Sequence, residues 1–173
     1  MPLTPAGIFY ADDNTPLSIA DISAAMATSV SGAVGIADII QTVQASDVSI
    51  SSNSSYTGVG LSATITPSST DSKIMILMDA RFQSYGGTNS VGADFQIVRD
   101  ESKTLTYSRT TIENVARNGF LMYYWNTSSI NHVDVPGKTA PVTYSVKSKV
   151  ADGLNAINSV FAGSKLILME IGK

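Results

Sequence analysis

From Ile39 onward, apolar and polar residues alternate with a period of two, and clusters of Gly, Pro, Asn, Asp and Ser interrupt the alternation at short intervals. Such a pattern reads as strands joined by tight turns. It predicts about ten strands: Ile39 to Ile50, Tyr56 to Ile65, Lys73 to Tyr85, Val91 to Arg99, Thr104 to Ile112, Phe120 to Asn126, Ile130 to Val135, Thr139 to Val150, Asn155 to Phe161 and Lys165 to Ile171. Pro67 with its Ser/Thr/Asp neighbours, Asp100-Glu101, Pro136-Gly137 and Gly163-Ser164 are among the predicted turns. Many short strands with turn signals between them indicate an antiparallel sandwich, jelly roll or barrel.

Two of these strands break the rule of one wet face. In the Lys73 strand, Ile74, Ile76, Met78, Ala80 and Phe82 share one face, and Met75 and Leu77 lie on the other. The last strand divides in the same way, Leu166 and Leu168 against Ile167, Met169 and Ile171. An antiparallel sheet normally leaves one face to water, so the second apolar face calls for another layer. A neighbouring subunit can supply one, so the pattern points to an oligomer with Met75, Leu77, Ile167 and Met169 at the subunit contact.

The opening of the chain has a different period. Ser18 fits a helix N-cap with Pro16 just upstream, and Ile19, Ile22, Met26 and Val30 fall on one helical face before Gly32 and Gly35. A helix of about a dozen residues is marginal alone in water and should be docked. Residues 1–36 are therefore expected to form an anchoring arm with a short helix, and residues 37–173 the β domain. The resulting fold class is mainly β with a short helix-containing arm.

Composition sharpens this picture. Only 14% of residues are charged against 43% hydrophobic, sparse charge for a free monomer. Before Lys73 there are six acids and no Lys or Arg; all 11 basic residues follow. The bases are scattered through the strands rather than gathered, which argues against nucleic-acid binding. The acidic arm is suited to a basic partner surface or simply to solubility. No apolar run has membrane-spanning length, and Met1-Pro2-Leu3-Thr4-Pro5 lacks the features of a signal peptide, so synthesis in a cytoplasm without membrane insertion is expected.

Chemistry is scarce. With no Cys and His132 as the lone His, thiolate catalysis, a Cys zinc cage and a two-His metal site are excluded. Gly58-Val59-Gly60-Leu61-Ser62-Ala63 spells a dinucleotide-loop string, yet Thr64-Ile65-Thr66-Pro67 continues as strand and turn where a helix is needed. His132 and Asp134 share a strand face, but a packed His is favoured over a catalytic one. Asp12-Asp13-Asn14 gathers oxygen ligands without the Gly and closing Glu of a calcium loop. No catalytic residue, metal or cofactor is expected. Tyr123, Tyr124 and Trp125 are candidate glycan contacts, with core or interface packing the favoured alternative.

Several segments carry a family resemblance: Ile39-Ile40-Gln41-Thr42-Val43-Gln44, the run from Ser52 through Tyr56-Thr57-Gly58-Val59-Gly60 to Ile74, Phe95-Gln96-Ile97-Val98-Arg99-Asp100, the run from His132 to Val146, and Leu166-Ile167-Leu168-Met169-Glu170-Ile171. They resemble virion structural proteins of tailed bacteriophages, particularly those of cyanobacterial and marine hosts. Gly137-Lys138 departs from the small polar residues of that pattern. The resemblance implies a trimeric jelly roll similar to complement and tumour-necrosis-factor-like domains, with the first and last strands at the trimer axis. It implies a non-enzymatic capsid decoration, or cement, protein located in the virion. Ile19, Ile22, Met26 and Val30 would then anchor it to the major capsid protein or another virion protein. The alternative is a short tail-fibre or receptor-binding tip recognising a host-surface glycan, disfavoured by a chain with room for little more than an arm and one domain.

Overall fold

The computed structural model describes residues 36–51, 54–86, 90–113, 122–151 and 156–171. Ten strands lie within them: β1 (Ile36–Val43), β2 (Val48–Ile50), β3 (Thr57–Ile65), β4 (Lys73–Gly86), β5 (Ser90–Arg99), β6 (Lys103–Glu113), β7 (Met122–Asp134), β8 (Val142–Val150), β9 (Ala156–Val160) and β10 (Lys165–Ile171). No helix occurs among the described residues. The arm helix expected after Ser18, with Ile19, Ile22, Met26 and Val30, lies outside them.

β4 organises the first sheet. Its 14 residues extend about 45 Å at the usual rise per strand residue. One edge pairs with β7 along its length, from Ile74 opposite Asp134 to Gly86 opposite Met122. The other edge is shared, Lys73 to Asp79 pairing with β10 and Phe82 to Gly86 with β9. β1 lies outside β10 and β2 outside β9, so the sheet has six strands. A second, four-stranded sheet runs β3-β8-β5-β6. Every ladder is antiparallel, and the two sheets pack as a sandwich.

Two expected strand boundaries are corrected. The run from Ile39 to Ile50 is two strands, because β1 follows β10 and β2 follows β9, and the chain must break where those partners break. Gln44 and the Phe161–Ser164 turn bind across the gap: the Gln44 amide donates to the Ser164 carbonyl at 2.9 Å and the Gly163 amide to the Gln44 carbonyl at 2.9 Å. The gap stays fastened to β4, with the Phe161 amide on the Arg81 carbonyl at 2.9 Å and the Arg81 amide on Ser164 Oγ at 3.0 Å. Conversely, of the runs expected from Phe120 to Asn126 and from Ile130 to Val135, the parts Met122 to Asn126 and Ile130 to Asp134 belong to one strand, β7. The polar segment between them does not turn, because the unbroken edge of β4 pairs with it throughout, Phe82 with Asn126 and Asp79 with Ser129.

The core follows from parity. On β3, Val59, Leu61, Ala63 and Ile65 are buried, while Gly58, Gly60, Ser62 and Thr64 are exposed. With Phe95 and Ile97 of β5 and Tyr144 and Val146 of β8 in the same sheet, the buried β3 residues face Ile74, Ile76, Met78, Ala80 and Phe82 of β4 and Leu166 and Leu168 of β10. The rings of Phe82 and Phe95 meet across the layers at 5.3 Å, a tilted contact of the kind aromatic quadrupoles favour.

Polar bonds pin the sandwich at both ends. At one end Asn158, which accepts from Ser84 Oγ at 2.6 Å, donates to the carbonyl of Gly92 in the other sheet at 2.9 Å. Gly92 tolerates no side chain, since a Cβ there would meet the Thr110 carbonyl oxygen at 2.5 Å. At the other end Asp134 of β7 accepts from Tyr144 of β8 at 2.9 Å and from Arg99 of β5 at 2.7 Å. The predicted turn after Pro67 is tied to the last strand: Glu170 accepts the Ser68 amide at 2.8 Å and the Ser68 and Ser72 hydroxyls. This satisfies a carboxylate that is only 2% exposed.

Because Phe82 joins the two layers, Phe82→Ala should cost about 3–5 kcal/mol of folding stability. Urea unfolding monitored by far-UV circular dichroism checks this.

Candidate functional site

The outer faces of the two sheets differ in chemistry. On the second sheet, Ser62 and Thr64 of β3 pair hydroxyl to hydroxyl with Ser145 at 3.2 Å and Thr143 at 2.9 Å. That face has the wet surface expected of a sandwich. The first sheet has an apolar outer face instead.

Cross-strand register assembles it. Ile39 of β1, Met169 of β10, Met75 of β4 and Val133 of β7 form one row across four strands. Gln41, Ile167, Leu77 and Asn131 form the next. The four residues expected at a subunit contact, Met75, Leu77, Ile167 and Met169, are thus immediate neighbours and half-buried. The flanking residues missed in the sequence are Ile39, 55% exposed, and Val133, 46% exposed. Both stand at alternating strand positions, but their membership of this face depends on pairings between strands far apart in the chain.

Farther along β4 comes a polar belt of Asp79, Lys165, Ser129, Arg81 and Thr127, and beyond it an aromatic patch. Tyr85 stacks on Tyr123 with centroids 4.6 Å apart, and Trp125 stacks on Phe161 at 4.7 Å. Tyr123 and Trp125 are 61% and 65% exposed, so of the two packings expected for them, core or subunit interface, the core is not where they lie. The three candidate glycan contacts do not share one face. Tyr124 faces the opposite side of β7, since alternate residues of a strand point to opposite faces. Tyr123 and Trp125 meet Tyr85 and Phe161 instead.

The catalytic candidates have other duties. His132 and Asp134 share the inner face of β7, opposite Ile76 and Ile74. Asp134 is 6% exposed and engaged by Arg99 and Tyr144. Burial first, and the hydrogen bond to Asp134 second, push the Tyr144 phenol well above its ordinary value of 10.0. The Gly58–Ala63 string lies within β3, not before a helix. Asp12, Asp13 and Asn14 lie outside the described residues. Among those described, no three metal-ligating side chains gather.

The three-residue turn between β5 and β6 has positive φ at both Asp100 and Glu101, a conformation usually met by Gly or Asn in tight hairpins. Neighbours hold it. Asp100 accepts from Lys138 at 2.7 Å and from the Thr143 amide at 3.1 Å. Glu101 accepts from Ser145 at 2.6 Å and pairs with Lys147 at 2.9 Å. Lys138 therefore helps to hold this turn. Its hydrogen bond is the foremost cause lowering the Asp100 pKa, and that of Ser145 is foremost for Glu101.

No protein-family model and no curated protein matches the chain. Solved structures with related strand arrangements include the delta-endotoxin Cry8Ea1 of Bacillus thuringiensis, at 14% identity and TM-score 0.42, covering 73% of this chain and 20% of that one. A structure of the Gt strain of infectious bursal disease virus matches at 16% identity and TM-score 0.44, with 76% and 31% covered. The Eiger TNF of S. frugiperda matches at 5% identity and TM-score 0.33, with 78% and 86% covered. This chain spans a third or less of the first two proteins. Likenesses this distant leave the architecture to rest on its own strand order and register.

Tyr144 supplies a test of the inter-sheet bond. The folded state holds the phenolic proton more tightly than the unfolded chain does, so this contribution is complete below pH 10.0 and declines as the pH rises above it. Tyr144→Phe should lower stability by about 1–3 kcal/mol at neutral pH by orphaning a buried acceptor bond. The gap to the wild type should narrow above pH 10.0 in denaturant titrations run at a series of pH values.

Proposed function

We propose that this chain is a non-enzymatic virion structural protein whose β domain is a jelly roll that trimerises through the outer face of its first sheet. The path β1-β10-β4-β7 through the six-stranded sheet, facing β3-β8-β5-β6, supports the jelly-roll reading, since facing antiparallel sheets with the first strand beside the last fit its connectivity. One observation carries the assembly reading. Among the described residues, Ile39, Met75, Leu77, Val133, Ile167 and Met169 share the outer face of the first sheet, and no further layer of described residues covers them. Other copies of the chain are the natural cover: a three-fold ring turns the same face of each protomer toward the axis. The aromatic patch continues the same face, and Asp79, Arg81 and Lys165 between the two patches provide charges of both signs for pairing across protomers.

The virion assignment draws on the sequence resemblance to tailed-phage structural proteins, and within it decoration of the capsid is the favoured role. A decoration protein binds the assembled shell in preference to free subunits and stabilises it by mass action. The arm, residues 1–36, supplies the attachment through Ile19, Ile22, Met26 and Val30, with its acids on a basic shell surface.

Sedimentation equilibrium at micromolar concentration should give three copies of the 18.2 kDa chain. Leu77→Asp should give a folded monomer, because Leu77 is outside the core and its replacement buries an unpaired charge only in the trimer. A wild-type monomer would overturn the assembly reading. Deleting residues 1–36 should leave a folded trimer that no longer co-sediments with purified capsids, and full occupancy by the truncated protein would move attachment to the β domain.

A further inference from the structure

The apolar outer face of the first sheet differs from one edge to the other. β1 bounds it on one side and β7 on the other, with β10 and β4 between them. Its first row ends in a branched aliphatic at each edge, Ile39 on β1 and Val133 on β7. Its second row ends in an amide at each edge, Gln41 on β1 and Asn131 on β7, with Ile167 and Leu77 between. Both amides are exposed. The third row, Val43, Lys165, Asp79 and Ser129, places its cation toward β1 and its carboxylate toward β7, and these two charged residues are exposed as well. The β1 side therefore offers an aliphatic, an amide and a cation in successive rows, and the β7 side an aliphatic, an amide and an anion.

We infer that the protomers join head to tail, the β1 edge of each face against the β7 edge of the next, with Gln41 of one protomer hydrogen-bonded to Asn131 of its neighbour. The inference rests on the proposal that this face is the subunit contact, and it adds which side chains meet there and what fixes their register. A closed three-fold ring is heterologous, so every joint brings together two different edges of the same face. With the strands running along the axis, each row of one protomer continues into the same row of the next. Ile39 then packs on Val133. Each Lys165 stands between the Asp79 of its own protomer and that of its neighbour, a ring in which charge alternates in sign. The amides set the register. An amide taken out of water without a partner is costly, and each of these carries both donors and an acceptor, so Gln41 and Asn131 satisfy one another when the rows align. A slip of two residues along the strands in either direction would instead set Asn131 against Val43 or Ile39. One polar position within an apolar contact fixes the register of coiled coils in the same way, at some cost in stability.

The chain has no Cys, so a pair of introduced cysteines reports the joint directly. Gln41→Cys and Asn131→Cys fall at exposed positions, three strand spacings or about 14 Å apart within one protomer. A short bis-maleimide added to the full-length double variant should give a covalent trimer on denaturing gels, whereas either single variant should run as a monomer. Sedimentation equilibrium before cross-linking gives the assembly state of the same samples. A double variant that sediments as a trimer yet yields no covalent trimer overturns the head-to-tail pairing and leaves the subunit contact standing. A covalent dimer from a single variant overturns the pairing too, since like edges then meet. A wild-type monomer overturns the subunit contact and the pairing with it. A charge pair gives a second readout. Gln41→Lys alone and Asn131→Asp alone should each weaken the trimer about tenfold or more by burying an unpaired charge, and the two together should recover most of that loss. Losses that simply add in the combined variant overturn the pairing.

Discussion

Apolar side chains on both faces of β4 and β10 are the constraint on which the rest of the molecule depends. Ile74, Ile76, Met78, Leu166 and Leu168 cannot remain in water, and burying them requires a second sheet. β3, β5 and β8 meet that requirement with Val59, Leu61, Phe95, Ile97, Tyr144 and Val146. Met75, Leu77, Ile167 and Met169 on the reverse are left to one another and to the half-exposed Ile39 and Val133. The sandwich solves half of the hydrophobic problem posed by its own central strands. The other half is a surface with a chemistry unlike that of the opposite sheet.

Direction and register come from polar groups rather than from the core. Hydrophobic contact alone would allow the layers to slide, but Asn158 on Gly92 at one end and Tyr144 with Arg99 on Asp134 at the other fix their relative position. Each bond leaves a costly orphan if the layers shift. Glu170 performs the same service locally, drawing the Ser68–Ser72 turn onto the end of β10. These groups occupy the buried polar positions where a catalytic reading would otherwise look, and their bonding explains them structurally.

The two outer faces differ in chemistry. An apolar face interrupted by a belt of mixed charge suits obligate contact between like chains, where a dry interior and charge pairing in register operate together. The opposite face is polar, with Ser62 and Thr64 paired hydroxyl to hydroxyl with Ser145 and Thr143.

The sequence by itself determined the strands, their faces and the poverty of catalytic chemistry. β3, β4, β5, β6 and β10 fall within a residue of the alternating runs that predicted them, because in-and-out alternation is a local property of the chain. It also identified Met75, Leu77, Ile167 and Met169 as surplus to one core. Only the tertiary structure decided what depends on pairing between distant segments. It split the first run into β1 and β2, fused two runs into β7, sent Tyr124 away from Tyr123 and Trp125, and brought Gln41, Ile167, Leu77 and Asn131 into one row. The physical reason is that a strand's neighbours supply half of its hydrogen bonds and all of its cross-strand contacts. Where a strand ends, and which residues share a surface with it, are therefore set by partners that local sequence does not name.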